Sequence, residues 1–293
     1  MDFVVSVARI PAPGETVLGS DFQMLAGGKG ANQANAAARL ALPSNSVKMI
    51  GRVGADIAGT QLKASLTAAG VDVSGVLSTA AAPTGVAFIT VDASGQNSIA
   101  VAPGANLTLL PSDVESLRQE IEQAFAVLVQ LETPLETVAR TLQIARRAGT
   151  LTILDPAPAQ SLPASLLSLV DVLTPNESEA AGLLQLSSHH IHLVDVPEIA
   201  QALLAMGPRS VVLKLGAQGC YYTDGKVSVL SPGFEVVVKD TTAAGDTFNA
   251  ALAVALSEGT QWEQALRFAN RAASISVTRV GAQASAPARS ELD

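Results

Sequence analysis

A run of small residues closes on a carboxylate at Asp240-Thr-Thr-Ala-Ala-Gly-Asp246-Thr-Phe-Asn, directly before the apolar stretch 250–256. The apolar run 234–238 ahead of it reads as a strand, so the segment is expected to turn from strand into helix. Such a turn leaves the amides of Ala243, Ala244 and Gly245 without internal partners at the positive end of the helix dipole, where they can cradle a phosphate. With Asp246 beside them as proton acceptor, the chemistry is phosphoryl transfer to a hydroxyl. The dipole is expected to favour the carboxylate and keep Asp246 a weak base, which suits a reaction governed by positioning and charge stabilisation. Taken alone, an Asp at a helix start is equally well a cap.

A second constellation lies near the other end of the chain, Gly27-Gly28-Lys29-Gly30-Ala31-Asn32-Gln33-Ala34-Asn35, ahead of the helix-like 36–41. It is not a P-loop, since no Ser or Thr follows Lys29, and Gln33 breaks a G-x-G-x-x-G pattern. Its glycines bring backbone close to a ligand, while Lys29 and Asn32 supply donors and acceptors suited to a polyol. His189, His190 and His192 are the only histidines, too few to complete a tetrahedral metal set, and read as solvated loop residues.

Positioning these residues requires a sizeable fold, and 293 residues suffice for one large α/β unit. Strand-like runs at 47–50, 125–130, 151–154, 171–173 and 211–215 alternate with helical patterns, which predicts a central, mostly parallel sheet covered by helices on both faces. Capping boxes at Ser112-x-x-Glu115, Thr133-Pro-x-Glu136 and Thr260-x-x-Glu263 mark helix starts. Alternating patterns near 11–25 and 84–103, with no helices between strands, predict a small antiparallel β lid within a single domain spanning 1–293. Thr79-Ala-Ala-Ala-Pro-Thr84 reads as its hinge.

A formal net charge of −8, with no basic cluster, disfavours nucleic acid and anionic lipid as partners. No apolar run is long enough to span a bilayer, and the start lacks a basic n-region, so a cytoplasmic protein is expected. The single cysteine, Cys220, reads as a small buried hydrophobe in a reducing compartment.

The two glycine-containing motifs, in this order and far apart, resemble the ribokinase family of PfkB-type carbohydrate kinases, over nearly the whole chain. Pro13-Gly-Glu-Thr-Val17, Gln130-Leu-Glu132, Asp155-Pro-Ala-Pro158, Thr174-Pro-Asn-Glu177 and Val277-Thr-Arg-x-Gly-Ala-Gln283 extend the likeness. The resemblance implies ATP-dependent phosphorylation of D-ribose at its 5-hydroxyl, or of another small sugar or nucleoside, with Asp246 as general base and the 243–246 turn as anion hole. A non-catalytic sugar-binding relative is the alternative from a different class.

Asp2, Gly28, Lys29, Asn32 and Glu132 match the family's sugar positions. Asn176, Lys214, Gly216, Gly219 and Asn270 match nucleotide positions, although many ribokinases carry Thr at the place of Lys214. Glu179 matches a residue that places Mg²⁺ through water. Asp240, Thr242, Ser276, Arg279, Gly281 and Ser285 match the surroundings of a monovalent cation, implying K⁺ activation. The lid is implied to cover the sugar and to join a homodimer. Asp155 reads as a structural strand-end turn. Family members begin with an apolar strand ending in Gly-Ser-x-Asn-x-Asp, of which only the last two positions have counterparts here. The expectation is that Met1 is an internal methionine of a longer natural protein, the alternative being a shortened relative.

Overall fold

Between residues 126 and 231, short strands apolar on both faces alternate with helices, the pattern of strands buried between two helical layers. The structure, a computed structural model, describes every residue of the chain except Ser187, His189, His190 and Asp293. The readings of His189 and His190 therefore fall outside the described residues; His192 is exposed.

The strands are β1 (Asp2–Val7), β2 (Gly19–Leu25), β3 (Lys48–Gly54), β4 (Asp72–Thr79), β5 (Val86–Val91), β6 (Asn97–Ala102), β7 (Ala126–Val129), β8 (Leu151–Leu154), β9 (Val172–Leu173), β10 (Ser210–Lys214), β11 (Cys220–Thr223) and β12 (Ser228–Ser231). The helices are α1 (Lys29–Leu40), α2 (Ile57–Ala68), α3 (Pro111–Ser116), α4 (Arg118–Gln123), α5 (Leu135–Ala148), α6 (Ala164–Leu167), α7 (Glu177–Leu184), α8 (Val196–Ala205), α9 (Ala244–Ser257) and α10 (Trp262–Ser276).

The main sheet runs β12-β11-β10-β9-β8-β7, parallel from β7 to β10 and antiparallel beyond. Alternate side chains serve opposite layers. Ile153, Val172 and Val212 pack with α1, α9 and α10, whereas Leu154, Leu173, Val211 and Leu213 pack with α5, α6, α7 and α8. Alanines at 36, 37, 250, 251, 265 and 269 line the first of these layers, so its helices approach closely.

Three expectations need correction. The strand expected at 47–50 extends over β3 and pairs only with β4, in a separate two-stranded parallel sheet, because no ladder joins β3 to β7 among the described residues. Ile50 of β3 and Val127 of β7 still share a small apolar cluster with Val114, Ile121, Ile144 and Ala145. The run 234–238 forms no strand: β12 ends at Ser231, Phe234 packs against the guanidinium groups of Arg267 and Arg271, and Val237 is exposed. The helix caps also shift. Asp113 accepts from the Leu110 amide at the start of α3, while α5 and α10 begin after Pro134 and Gln261 with no side-chain cap.

The small sheet expected as a lid has four strands, β2-β1-β5-β6. It differs from expectation in taking β1, antiparallel to β2 but parallel to β5. Phe3 stacks on both Phe22 and Phe88, 6.1 and 5.5 Å between centroids. Where the chain passes from β4 toward this sheet, Asp56 ties the connection down: it caps α2 by accepting from the Gly59 amide, and it accepts from both the amide and the hydroxyl of Thr84. Loss of a helix cap of this type costs about 1–2 kcal/mol. Asp56→Ala is expected to lower unfolding stability by about that amount in a urea titration, while Ile57→Ala, an exposed neighbour, stays near wild type.

Candidate active site

Helices α1 and α9 lie against each other, and their first turns carry the two motifs. Asn32 Nδ2 donates to Asp246 Oδ2 at 3.0 Å, and Gln33 Nε2 donates to Asp246 Oδ1 at 3.1 Å. Successive residues of one helix thus hold both oxygens of a carboxylate more than two hundred positions away in the chain. Gln33 Nε2 also donates to Asp155 Oδ2 at 3.0 Å, Gln33 Oε1 accepts from Gln130 at 2.6 Å, and Lys214 Nζ pairs with Asp155 Oδ1 at 3.0 Å.

The turn before α9 is strained. Ala243 adopts a left-handed backbone with φ of 58°, which costs a residue bearing a Cβ roughly 1 kcal/mol. The Ala244 amide, expected to be free, donates to Thr241 O at 3.2 Å. Among the described residues the amides of Ala243, Gly245 and Asp246 meet no acceptor, so the donors left unpaired in this turn include Asp246's own amide and not that of Ala244.

Asp246 is only 6 % exposed, and burial, reinforced by the nearby Asp155 carboxylate, pushes its pKa up to about 6 against the opposing influence of Lys29, Asn32 and Gln33. This corrects the expectation of a weak base: removal from water outweighs the helix dipole. The result is a carboxylate ionised at neutral pH yet basic enough to take a proton.

The expected sugar positions come together. Asp2 lies so close to Gly27 that a side chain there would enter its carboxylate, and burial raises its pKa against the opposing pull of the terminal ammonium. Gly28, with φ of 98°, leads into α1, and the Lys29 amide donates to Glu132 Oε2 at 3.0 Å. Burial would lower the Lys29 pKa, but Asp246, Asp155, Glu132 and Glu179 around it raise it overall.

Of the expected nucleotide positions, Asn176, Lys214 and Gly216 lie at or just beyond the carboxyl ends of the parallel strands β9 and β10, the usual ligand edge of an open α/β sheet, whereas Gly219 precedes β11 and Asn270 lies on α10. Asn176 bridges to Lys214 and forms a reciprocal capping box with Glu179, whose pKa is raised by burial. Between β10 and β11, Gly216 faces open space, whereas a Cβ at Gly219 would strike the backbone of Ser231 and Gly233. Asn270 is buried, and its amide donates to Ser231 O at 3.0 Å.

The expected cation positions are also gathered. Asp240 accepts from the Thr242 amide and hydroxyl and from the Gly281 amide, stapling the two loops together. Ser276 and Ser285 are fully buried with hydroxyls donating to Ala273 O and Ala282 O, and Arg279 pairs with Glu291. Most of these polar side chains are engaged internally, so main-chain carbonyls are the groups that fit a monovalent ion there. Among the described residues no group of three or more His, Cys, Asp or Glu is arranged to hold a metal ion directly, so the donors present, Glu179 among them, fit Mg²⁺ through water and not in a protein cage.

Residues 1–289 match the model of the pfkB family carbohydrate kinases. The chain belongs to this family. It is 41 % identical to the ribokinase of Haemophilus influenzae, over 99 % of this chain and 93 % of that protein. It is 43 % identical to the ribokinase of Bacillus subtilis, over 100 % of this chain and 95 % of that one. The structure of Arabidopsis thaliana ribokinase complexed with ribose and ATP superposes with a TM-score of 0.91 at 33 % identity, covering 99 % and 94 % of the two chains. The protein is thus a sugar kinase, a phosphotransferase of the ribokinase fold. None of its described helices is long and apolar enough to cross a membrane.

Sequence reasoning gave Gln33 and Gln130 no role of their own and read Asp155 as a structural turn, whereas the three are joined to Asp246 in one hydrogen-bonded chain. Gln33 stands inside the glycine motif, and both Gln130 and Asp155 follow parallel strands, a position that itself signals ligand contact. The kcat/KM of this kinase for its sugar is expected to fall as pH drops through about 6, where Asp246 takes up a proton. A profile flat from pH 5 to pH 7 would contradict the assignment.

Proposed function

We propose that the chain transfers the γ-phosphate of ATP to the 5-hydroxyl of D-ribose. One observation supports this reading most: the helix that opens the sugar motif grips Asp246 beside unpaired amides of the α9 turn. Asp2, Gly28, Lys29, Asn32 and Glu132 hold the sugar. Asp246 accepts the hydroxyl proton as the oxygen attacks phosphorus and the bond to the leaving ADP oxygen breaks. Amides of the 243–246 turn receive the charge on the transferring group, worth about 3 kcal/mol per donor at comparable sites.

Asn176, Lys214, Gly216, Gly219 and Asn270 border the nucleotide. Gly219 and Asn270 act by shaping the β11–β12 region against which it lies. Glu179 would place Mg²⁺ through water, and the ion would supply charge neutralisation on the phosphates. Carbonyls near Asp240, Thr242, Ser276, Arg279, Gly281 and Ser285 would hold K⁺, ordering the loop that carries the anion cradle. The apolar side chains Phe22, Phe88, Ile99 and Val101, exposed on the lid, suit a homodimer contact, and the protein acts in the cytoplasm.

ATP consumption with D-ribose, Mg²⁺ and K⁺ tests the reading against other pentoses, hexoses and nucleosides. D-ribose is expected to give the highest kcat/KM, and Asp246→Asn to lose activity by about 10²–10⁴, the usual contribution of a general base. A nucleoside or hexose that outpaces ribose overturns the substrate assignment. Replacing K⁺ with Na⁺ is expected to slow turnover, and equal rates would remove the cation site.

A further inference from the structure

We infer that Asp155 and Lys214 form a charge-paired positioning device for Asp246, acting on it through the Gln33 carboxamide. The inference rests on Asp246 being the base. Gln33 has two N–H bonds, and one goes to each carboxylate, at 3.1 Å to Asp246 and 3.0 Å to Asp155. Its oxygen is occupied by Gln130, so the carboxamide cannot flip without aiming an oxygen at two carboxylates. Asp155 therefore fixes the orientation of the group that orients the base.

Two carboxylates bridged by one amide repel, and Gln33, Asp155 and Asp246 are 2 %, 3 % and 6 % exposed, so water screens them little. Lys214 supplies the compensation on the Asp155 oxygen that Gln33 leaves free. The same ammonium borders the α9 turn, 3.3 Å from where a Cβ on Gly245 would stand. A buried ion pair of this kind is a poor source of stability, which leaves control of its neighbour as its contribution. The other charged groups facing this cluster are Lys29 from α1 and Glu179 from α7, with Glu132 beyond Lys29.

The test compares Asp155→Asn, Lys214→Met and the double variant. Two readouts are used: the pH profile of kcat/KM for the sugar, and the carboxyl ¹³C titration of Asp246 in the ligand-free protein. Removing the Asp155 charge is expected to move the Asp246 midpoint down by about 1 pH unit, the scale of a nearby like charge. Removing the Lys214 charge is expected to move it up by a similar amount. The double variant is expected to return close to wild type, since it leaves no lone buried charge.

A purely structural pair would lower activity without opposite shifts. Unchanged midpoints, shifts of the same sign, or a double variant no nearer wild type than the singles would overturn the inference. If Lys214→Met does not fold, Asp155→Asn and the double variant carry the comparison. The carboxyl titration needs no substrate, so a wrong sugar assignment would show in the rates and leave this result standing.

Discussion

The close approach of α1 and α9 puts two carboxamides under a carboxylate that a helix start would ordinarily present to water. Alanines on both helices permit that approach, and once it is made, Asn32 and Gln33 reach both oxygens of Asp246. Hydrogen bonds to a charged group contribute about 1.5–3 kcal/mol each, which offsets much of the cost of removing the carboxylate from water. The remainder appears as a raised pKa. Basicity and burial are therefore one property, set by helix packing, and the unpaired amides of the turn that leads into α9 lie beside the same carboxylate.

The parallel sheet supplies the rest of the constellation. Gln130, Asp155, Asn176 and Lys214 all stand at or just beyond the carboxyl ends of strands or in the turns that follow them, so the strand order β10-β9-β8-β7 translates directly into neighbouring side chains. A lysine at 214 is paired inside the site and not free in solvent. The split between the β3–β4 pair and the main sheet leaves this edge intact, because both sheets remain joined through the apolar cluster of Ile50 and Val127 and through α1.

Much of this was legible from residue types. The glycine-rich motif and the Asp240–Asp246 turn identified the two helix starts that meet, and the strands at 151–154 and 211–215 were read nearly to their observed ends. The pattern of hydrophobic residues could not reveal which strands share ladders: β3 has the apolar content of a sheet member and pairs only with β4. Nor could it show that the run 234–238 finds no partner strand. Capping boxes failed at α5 and α10 because each helix starts one residue later than the threonine read as its cap implies, with Pro134 and Gln261 at the capping position and no side-chain cap. The Asp246 pKa was misjudged because the dipole is visible in sequence whereas burial is a tertiary property. The link between Gln33 and Asp155, the latter read as a turn residue, escaped notice for the same reason, since an amide bridging two carboxylates exists only after α1, β8 and α9 have assembled.

The most direct measurement of the central claim is a crystal structure of the protein with D-ribose and a non-hydrolysable ATP analogue. The account predicts the sugar 5-hydroxyl within hydrogen-bond distance of the Asp246 carboxylate, the γ-phosphate on the amides of the α9 turn, and Asn32 and Gln33 still holding both carboxylate oxygens. A hydroxyl directed at another group, or a phosphate bound away from that turn, would contradict it.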